Sequence, residues 1–88
     1  MSIIKWNNDS SISIQAEEHT NIVMSIVVFD DHLWSCSYDN TMIEWDWNLN
    51  MKRKFEYTSP FNCLTVWNDM IFSGHSDGSI IGLISKFQ

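Results

Sequence analysis

The chain has 88 residues, of which 44% are hydrophobic and 14% aromatic, a composition typical of one small globular domain. Eleven Asp and Glu against five Lys and Arg give a formal net charge of −6, which excludes nucleic acid as a favoured partner because phosphate binding needs clustered positive charge. The longest apolar run, residues 22–29, is too short to span a membrane.

The two cysteines, Cys36 and Cys63, are typical of a reduced intracellular protein and are too few for a disulfide framework. Residues 1–9 do not show a basic segment followed by an apolar stretch, so no secretion signal is expected. We therefore expect a cytoplasmic protein.

Short runs of Ile, Val, Phe, Trp and Thr, separated by Asn, Asp, Ser and Gly, predict β-strands throughout the chain. The predicted strands are 2–6, 11–16, 22–29, 32–37, 41–46, 52–57, 61–67, 70–75 and 79–84. Residues 38–40 and 76–78 have the composition of tight hairpin turns, in which Asn and Gly accept a positive φ. This even spacing predicts an all-β, antiparallel, up-and-down fold with essentially no helix.

The sequence repeats itself at an offset of 38 residues without a gap. Six pairs are identical: Thr20/Thr58, Val28/Val66, Asp31/Asp69, Ser35/Ser73, Asp39/Asp77 and Ile43/Ile81. Other pairs keep their apolar, aromatic or turn-forming character, and residues 3–7 match 42–46 at an offset of 39. A period near 40 with four strands per unit is typical of a β-propeller blade.

The first unit carries His19, then a Ser-x-Ser-x-Asp hairpin over 35–39, then Trp45-Asp46. This combination resembles the WD repeat, although Glu18 stands where the family has glycine. The second unit departs further: Tyr57, Leu83 and Ile84 replace the histidine, the tryptophan and the final aspartate, while the hairpin is kept.

The resemblance implies four-stranded antiparallel propeller blades, about two per chain. Residues 1–18 would supply strands of a preceding blade, 19–56 the first repeat and 57–88 the second. Propellers usually close with four to eight blades, so two must be completed by oligomerisation or by sequence that lies elsewhere. The strand at 2–6 is surplus to a two-blade unit, which favours a fragment, whereas Met1 and the end at Gln88 favour a whole short chain. We expect a homo-oligomer.

By the resemblance, His19, Ser35, Asp39 and Trp45 would form the hydrogen-bonded tetrad of a WD repeat. The residue types fit such a chain, because each can satisfy a buried polar group of the next. His19, Ser35 and Asp39 are also the residue types of a catalytic triad. We reject that interpretation because the serine lies within a strand against tryptophan and has no oxyanion donor nearby. We predict no catalytic residues and no enzyme activity.

The family's resemblance also implies a rigid scaffold that binds proteins or peptides and uses no cofactor. Carried over to this chain, its contact positions are Ile22, Met24, Tyr38, Pro60, Asn62 and Ser76. The acidic charge balance favours a partner that carries Lys or Arg. The alternatives are a fragment of a longer multi-blade protein and a purely architectural half-propeller, natural or engineered, without a ligand.

Three further groups have simple structural interpretations. Residues 30–32, Asp-Asp-His, suggest metal ligands but have no fourth ligand beside them, so we predict a turn and no metal site. Residues 52–54, Lys-Arg-Lys, are expected to be solvated charges of an outer strand. We expect His75 to be an ordinary strand residue, and both cysteines to pack as small apolar groups.

Overall fold

The computed structural model describes residues 3–6, 13–16 and 18–84, and it places nine strands in these ranges. The strands are β1 (Ile3–Trp6), β2 (Ser13–Ala16), β3 (Val23–Phe29), β4 (His32–Ser37), β5 (Thr41–Trp45), β6 (Met51–Glu56), β7 (Phe61–Trp67), β8 (Met70–His75) and β9 (Ile80–Ile84). The predicted all-β class is confirmed. The predicted strand positions at 2 and 11–12, the matched Asn7 and the chain end at 85–88 lie outside the described residues.

The strands form three separate antiparallel sheets within the described ranges, each in sequence order. The first sheet pairs β1 with β2, the second has the order β3-β4-β5-β6, and the third has the order β7-β8-β9. The second sheet lies within residues 19–56 and the third within 57–88. No helix in the described part of the chain is long and apolar enough to cross a membrane.

The backbone repeats with the same 38-residue offset as the sequence. Each of the two larger sheets has a β-bulge at one site of its first strand pair, between Val23 and Ser25 and between Phe61 and Cys63. The β3–β4 turn at 30–31 and the β7–β8 turn at 68–69 have positive φ at both residues, as a two-residue type I′ hairpin requires. Asn40 and Gly78 have φ of 72° and 89° at equivalent places. The repeat is thus one of geometry as well as of residue type.

In the second sheet, β4 and β5 are largely buried on both faces because they alternate apolar residues between them, whereas β6 and alternate residues of β3 are exposed. One face packs against the third sheet, where β3 and β4 lie against β7. The core on this side consists of Phe29, Trp34, Cys36, Met42, Phe61, Leu64 and Ile71. The other face packs against the first sheet in a smaller cluster of Ile3, Ile43, Trp45 and Leu49. The sheets are therefore stacked face to face in chain order.

Candidate functional site

A chain of buried hydrogen bonds joins four side chains of the first repeat. His19 precedes β3, and its Nε2 lies 2.7 Å from the Ser35 hydroxyl in β4. The indole N–H of Trp45 in β5 donates to the same hydroxyl at 2.7 Å. On the other side of the imidazole, Nδ1 lies 3.1 Å from Oδ2 of Asp39. The structure thus brings His19, Ser35, Asp39 and Trp45 together.

One assignment of the protons satisfies every member of this tetrad. The Trp45 N–H can only donate, so the Ser35 oxygen accepts it and the Ser35 O–H donates to His19 Nε2. The neutral imidazole then carries its proton on Nδ1, which donates to the Asp39 carboxylate. All four side chains therefore depend on a neutral His19 and an ionised Asp39.

The Asp39 carboxylate also connects the segment before β3 to the β4–β5 hairpin through hydrogen bonds. Its Oδ2 accepts the backbone N–H of Thr20 at 2.8 Å, and its Oδ1 accepts the backbone N–H of Thr41 at 2.9 Å and the Thr41 hydroxyl. Burial opposes ionisation of Asp39, but the hydrogen bonds from Thr41, Thr20 and His19 outweigh it and lower the pKa of this carboxyl. For His19, burial is the main cause of a lowered pKa, which keeps the imidazole neutral.

The second repeat builds a different polar cluster at the equivalent place. The Ser73 hydroxyl lies 2.8 Å from Nε2 of His75, and the His75 ring packs between Tyr57 and Phe61 at centroid distances of 4.4 and 4.3 Å. His75 lies in β8 as expected, and these rings bury it, which was not expected. Nδ1 of His75 is buried without a hydrogen-bond partner among the described residues.

A second group of charges surrounds Glu44, a buried residue of β5 that the sequence analysis missed. Its carboxylate contacts Nδ1 of His32 and Nε of Arg53, both at 2.6 Å. Burial opposes ionisation here too, but the bonds from Arg53 and His32 lower the pKa of Glu44. Arg53 is exposed on the edge strand β6, as expected for residues 52–54, and it makes an ion pair that was not expected; its guanidinium also lies 5.9 Å from the Trp34 ring centroid.

The six predicted binding residues lie at one end of the two larger sheets. We call Ile22, Met24, Tyr38, Pro60, Asn62 and Ser76 the loop-end surface. Equivalent bonds support it in each repeat: the Tyr38 N–H donates to Ile22 O at 3.1 Å, and the Ser76 N–H donates to Pro60 O at 3.0 Å. The Ser76 hydroxyl contacts Oδ1 of Asn62 at 3.0 Å and lies 3.4 Å from the Tyr38 hydroxyl. The two repeats therefore meet at this surface.

The composition of the loop-end surface differs between the repeats. Ile22, Met24 and Tyr38 of the first repeat are exposed although they are large and apolar or aromatic. Asn62 and Ser76 of the second repeat are exposed and polar. An exposed aromatic side chain with hydrogen-bonding neighbours has the chemistry of a peptide contact site.

The two cysteines differ in environment. Cys36 is buried, and burial raises the pKa of its thiol to about 12, so it remains protonated at neutral pH. Cys63 is exposed, which contradicts the expectation that both pack as small apolar groups. Among the described residues, no three His, Cys, Asp or Glu side chains form a group that could hold a metal ion.

Two solved structures are similar to this chain. The computationally designed Ika4 protein has a TM-score of 0.74 and 18% identity, over 90% of this chain and 51% of Ika4. BamB from Moraxella catarrhalis, a β-propeller protein, has a TM-score of 0.84 and 11% identity, over 99% of this chain and 28% of BamB. The chain thus spans about half of the first protein and 28% of the second. No family model and no curated protein sequence matches the chain.

At these identities the shared feature is the fold. The stacked antiparallel sheets, their regular repeat and the similarity to BamB define this chain as a propeller-like β protein.

We predict that Asp39→Ala lowers the free energy of unfolding by about 1–3 kcal/mol, because it leaves buried donors without an acceptor. Urea denaturation measures this loss. Asp77→Ala is the matched control, since Asp77 holds the equivalent position but is exposed and bonds the neighbouring Ser79. Equal losses for the two variants would contradict a special role for the tetrad.

We predict that the protein loses stability as the pH falls below about 6.5, the ordinary pKa of histidine. His19 has a lowered pKa in the folded chain, so the unfolded chain binds the proton more readily and gains population as pH falls. Denaturation curves between pH 7.5 and 5.5 should show a smaller loss for His19→Gln than for the unchanged protein. Parallel pH profiles would contradict the buried neutral imidazole.

Proposed function

We propose that this chain is a non-catalytic scaffold unit, built from WD repeats, that binds protein or peptide partners at the loop-end surface. The observation that carries the proposal is the joining of the two repeats there, where Tyr38, Asn62 and Ser76 lie in one hydrogen-bonded group. Exposed Ile22 and Met24 extend this group with apolar area. Such a mixture of rigid aromatic, apolar and polar groups suits an extended peptide.

Rigidity of the surface supports a binding role. Asp39 connects the segment before β3 to the β4–β5 hairpin through the bonds from Thr20 and Thr41. Tyr38 belongs to the same hairpin, so its position is fixed before any partner arrives. A preformed site binds more tightly because less conformational freedom is lost on association.

Charge around the loop-end surface favours a partner with Lys or Arg. Glu18 precedes His19, Glu56 pairs with Thr41 at the end of β6, and Asp77 lies in the hairpin next to Ser76. All three acidic residues are exposed. Complementary charge of this kind raises the rate of association and selects basic partners.

A non-catalytic role is supported by the burial of Ser35. This hydroxyl is held between His19 and the Trp45 indole and has no exposed surface, so a substrate would not reach it. The serine, histidine and aspartate together satisfy buried polar groups, which is a structural task. A cytoplasmic location is proposed on the basis of the two free thiols.

We also propose self-assembly into an even-bladed propeller, of four, six or eight blades from two, three or four chains. Trp67 and Ile80, which are exposed side chains of the third sheet, support this, since exposed apolar sheets normally acquire a partner. A fragment of a longer propeller protein is one alternative. An architectural half-propeller is the other, and the similarity to half of the designed Ika4 protein favours it.

We predict that Tyr38→Ala weakens peptide binding roughly tenfold, the effect of losing an aromatic anchor worth about 1.4 kcal/mol. The probe is an array of Lys- and Arg-rich peptides with acidic peptides of matched length as the reference. Trp47→Ala is the control because Trp47 is exposed on the β5–β6 turn, away from the loop-end surface. Failure to bind basic peptides above acidic ones would overturn the scaffold proposal.

We predict that the protein in solution has the mass of two, three or four chains of 10.3 kDa each. Light scattering after size exclusion measures this mass directly. A mass of one chain, with the fold intact by circular dichroism, would contradict self-assembly and would favour the fragment.

A further inference from the structure

The third sheet carries apolar side chains on a face that nothing in the described chain covers. We call Cys63, Trp67, Met70, Phe72 and Ile80 the open face. The strand alternation places them opposite Leu64 and Ile71, which point into the core. Trp67 and Ile80 are 69% and 77% exposed.

The second sheet has an equivalent face, and there another sheet covers it. Phe29 and Met42 hold the positions that Trp67 and Ile80 hold 38 residues later, and they are 5% and 7% exposed. They are buried because the third sheet packs on them. The open face is therefore the same interface without its partner sheet.

The chain also exposes the opposite half of this interface. Ile26 and Val28 of β3 are 48% and 55% exposed. Leu64, which is equivalent to Ile26, is 5% exposed because it packs in the core with Phe29 and Trp34. We call Ile26 and Val28 the β3 strip. Ile26 presents to solvent the kind of side chain that β7 buries against the second sheet, while Val66, the counterpart of Val28, is 38% exposed at the margin of that packing.

We infer that the open face of one copy packs on the β3 strip of a second copy, repeating the packing of the second sheet on the third. The inference rests on the self-assembly proposed above and names the surfaces that meet. A contact between two different surfaces of the same chain is heterologous, and such contacts form a closed ring when the rotation from one copy to the next closes.

The same packing extends the loop-end surface across the junction. Within one chain, Tyr38 of the first repeat lies beside Ser76 and Asn62 of the second. One step further around the ring, Ser76 of the first copy would lie beside Tyr38 and Met24 of the second copy. The binding site of each chain is therefore completed by its neighbour.

One strand must be displaced where two copies meet. The β1 segment matches β5 at an offset of 39 residues and β9 matches it at 38, so β1 of one copy and β9 of the other compete for one place. An isolated two-stranded sheet such as β1-β2 is marginally stable, whereas β9 belongs to a three-stranded sheet. In the ring, β9 of one copy occupies the place that β1 has in the next copy. Ile80, which is exposed in the single chain, then packs on Trp45 of that next copy, where Ile3 lies in the single chain.

A mixing experiment tests the pairing of these two surfaces. Trp67→Glu and Ile26→Lys each place a charge on one of them, and both positions are exposed in the single chain. We expect each variant alone to have the mass of one chain at concentrations where the unchanged protein assembles. In a ring of two or four chains an equimolar mixture should regain the assembled mass, because one junction keeps Trp67 against Ile26 and the other pairs Glu with Lys. In a ring of three chains the two variants cannot alternate, and the double variant Trp67→Glu/Ile26→Lys should regain the mass instead, because every junction then pairs Glu with Lys.

Trp47→Glu is the matched control, since it alters an exposed tryptophan outside both surfaces, and it should leave the assembled mass unchanged. Cys63 gives a second measurement that needs no variant. As an exposed thiol of the open face, it should react with iodoacetamide at least about tenfold more slowly in the assembly than after dilution to single chains.

The outcomes separate this inference from the self-assembly on which it rests. An assembled protein whose mass is unaffected by Trp67→Glu and Ile26→Lys, with Cys63 still reactive, would overturn the interface and leave self-assembly standing. Variants that separate but recover neither in the mixture, for two or four chains, nor as the double variant, for three chains, would overturn the heterologous pairing. A folded single chain for the unchanged protein would overturn both proposals.

Discussion

A β-strand that is apolar on both faces must be covered on both faces, and β4 and β5 of the second sheet have that property. Trp34 and Met42 point to one side, and Ile43 and Trp45 point to the other. Because burial of apolar area is the main favourable term in folding, the neighbouring sheets are held in place by these side chains. The stacked arrangement follows from this requirement.

Stacking of apolar faces does not by itself fix the positions of the strand ends and loops. The buried polar groups fix these positions. The tetrad connects the segment before β3 to β4, β5 and the hairpin between them. Each of these hydrogen bonds requires a particular direction between donor and acceptor, so together they allow one arrangement of the sheet and its loops. Glu44 performs a similar task, joining His32 at the start of β4 to Arg53 in β6.

The two repeats differ in their loop side chains but share the same backbone fold. Their bulges and turns coincide, yet Tyr38 is matched by Ser76 and His19 by Tyr57. A repeat that keeps its backbone while its exposed residues vary can place different chemistry side by side on one surface. This property suits a scaffold, in which the fold positions the contacts and the loops determine the partner.

The sequence by itself determined the strands, the turns and the 38-residue repeat, because these depend on the order of residue types along the chain, and the resemblance to the WD repeat implied the residues of the tetrad. Alternation requires only neighbouring residues, and a turn requires a residue such as Asn40 or Gly78 that accepts a positive φ. Only the tertiary structure decided which of two similar residues is buried. Cys36 and Cys63 both lie within strands, but a packed sheet covers the first and leaves the second exposed.

The same reason explains the other residues that sequence patterns missed. His75 is buried because Tyr57 and Phe61 pack against it, and Arg53 contacts Glu44 because the pairing of β5 with β6 places the two residues opposite each other. Strand pairing and sheet stacking join residues far apart in the chain, and no local pattern specifies those contacts. The sequence therefore fixes which face of a strand is apolar, while the neighbouring sheet decides whether that face is covered.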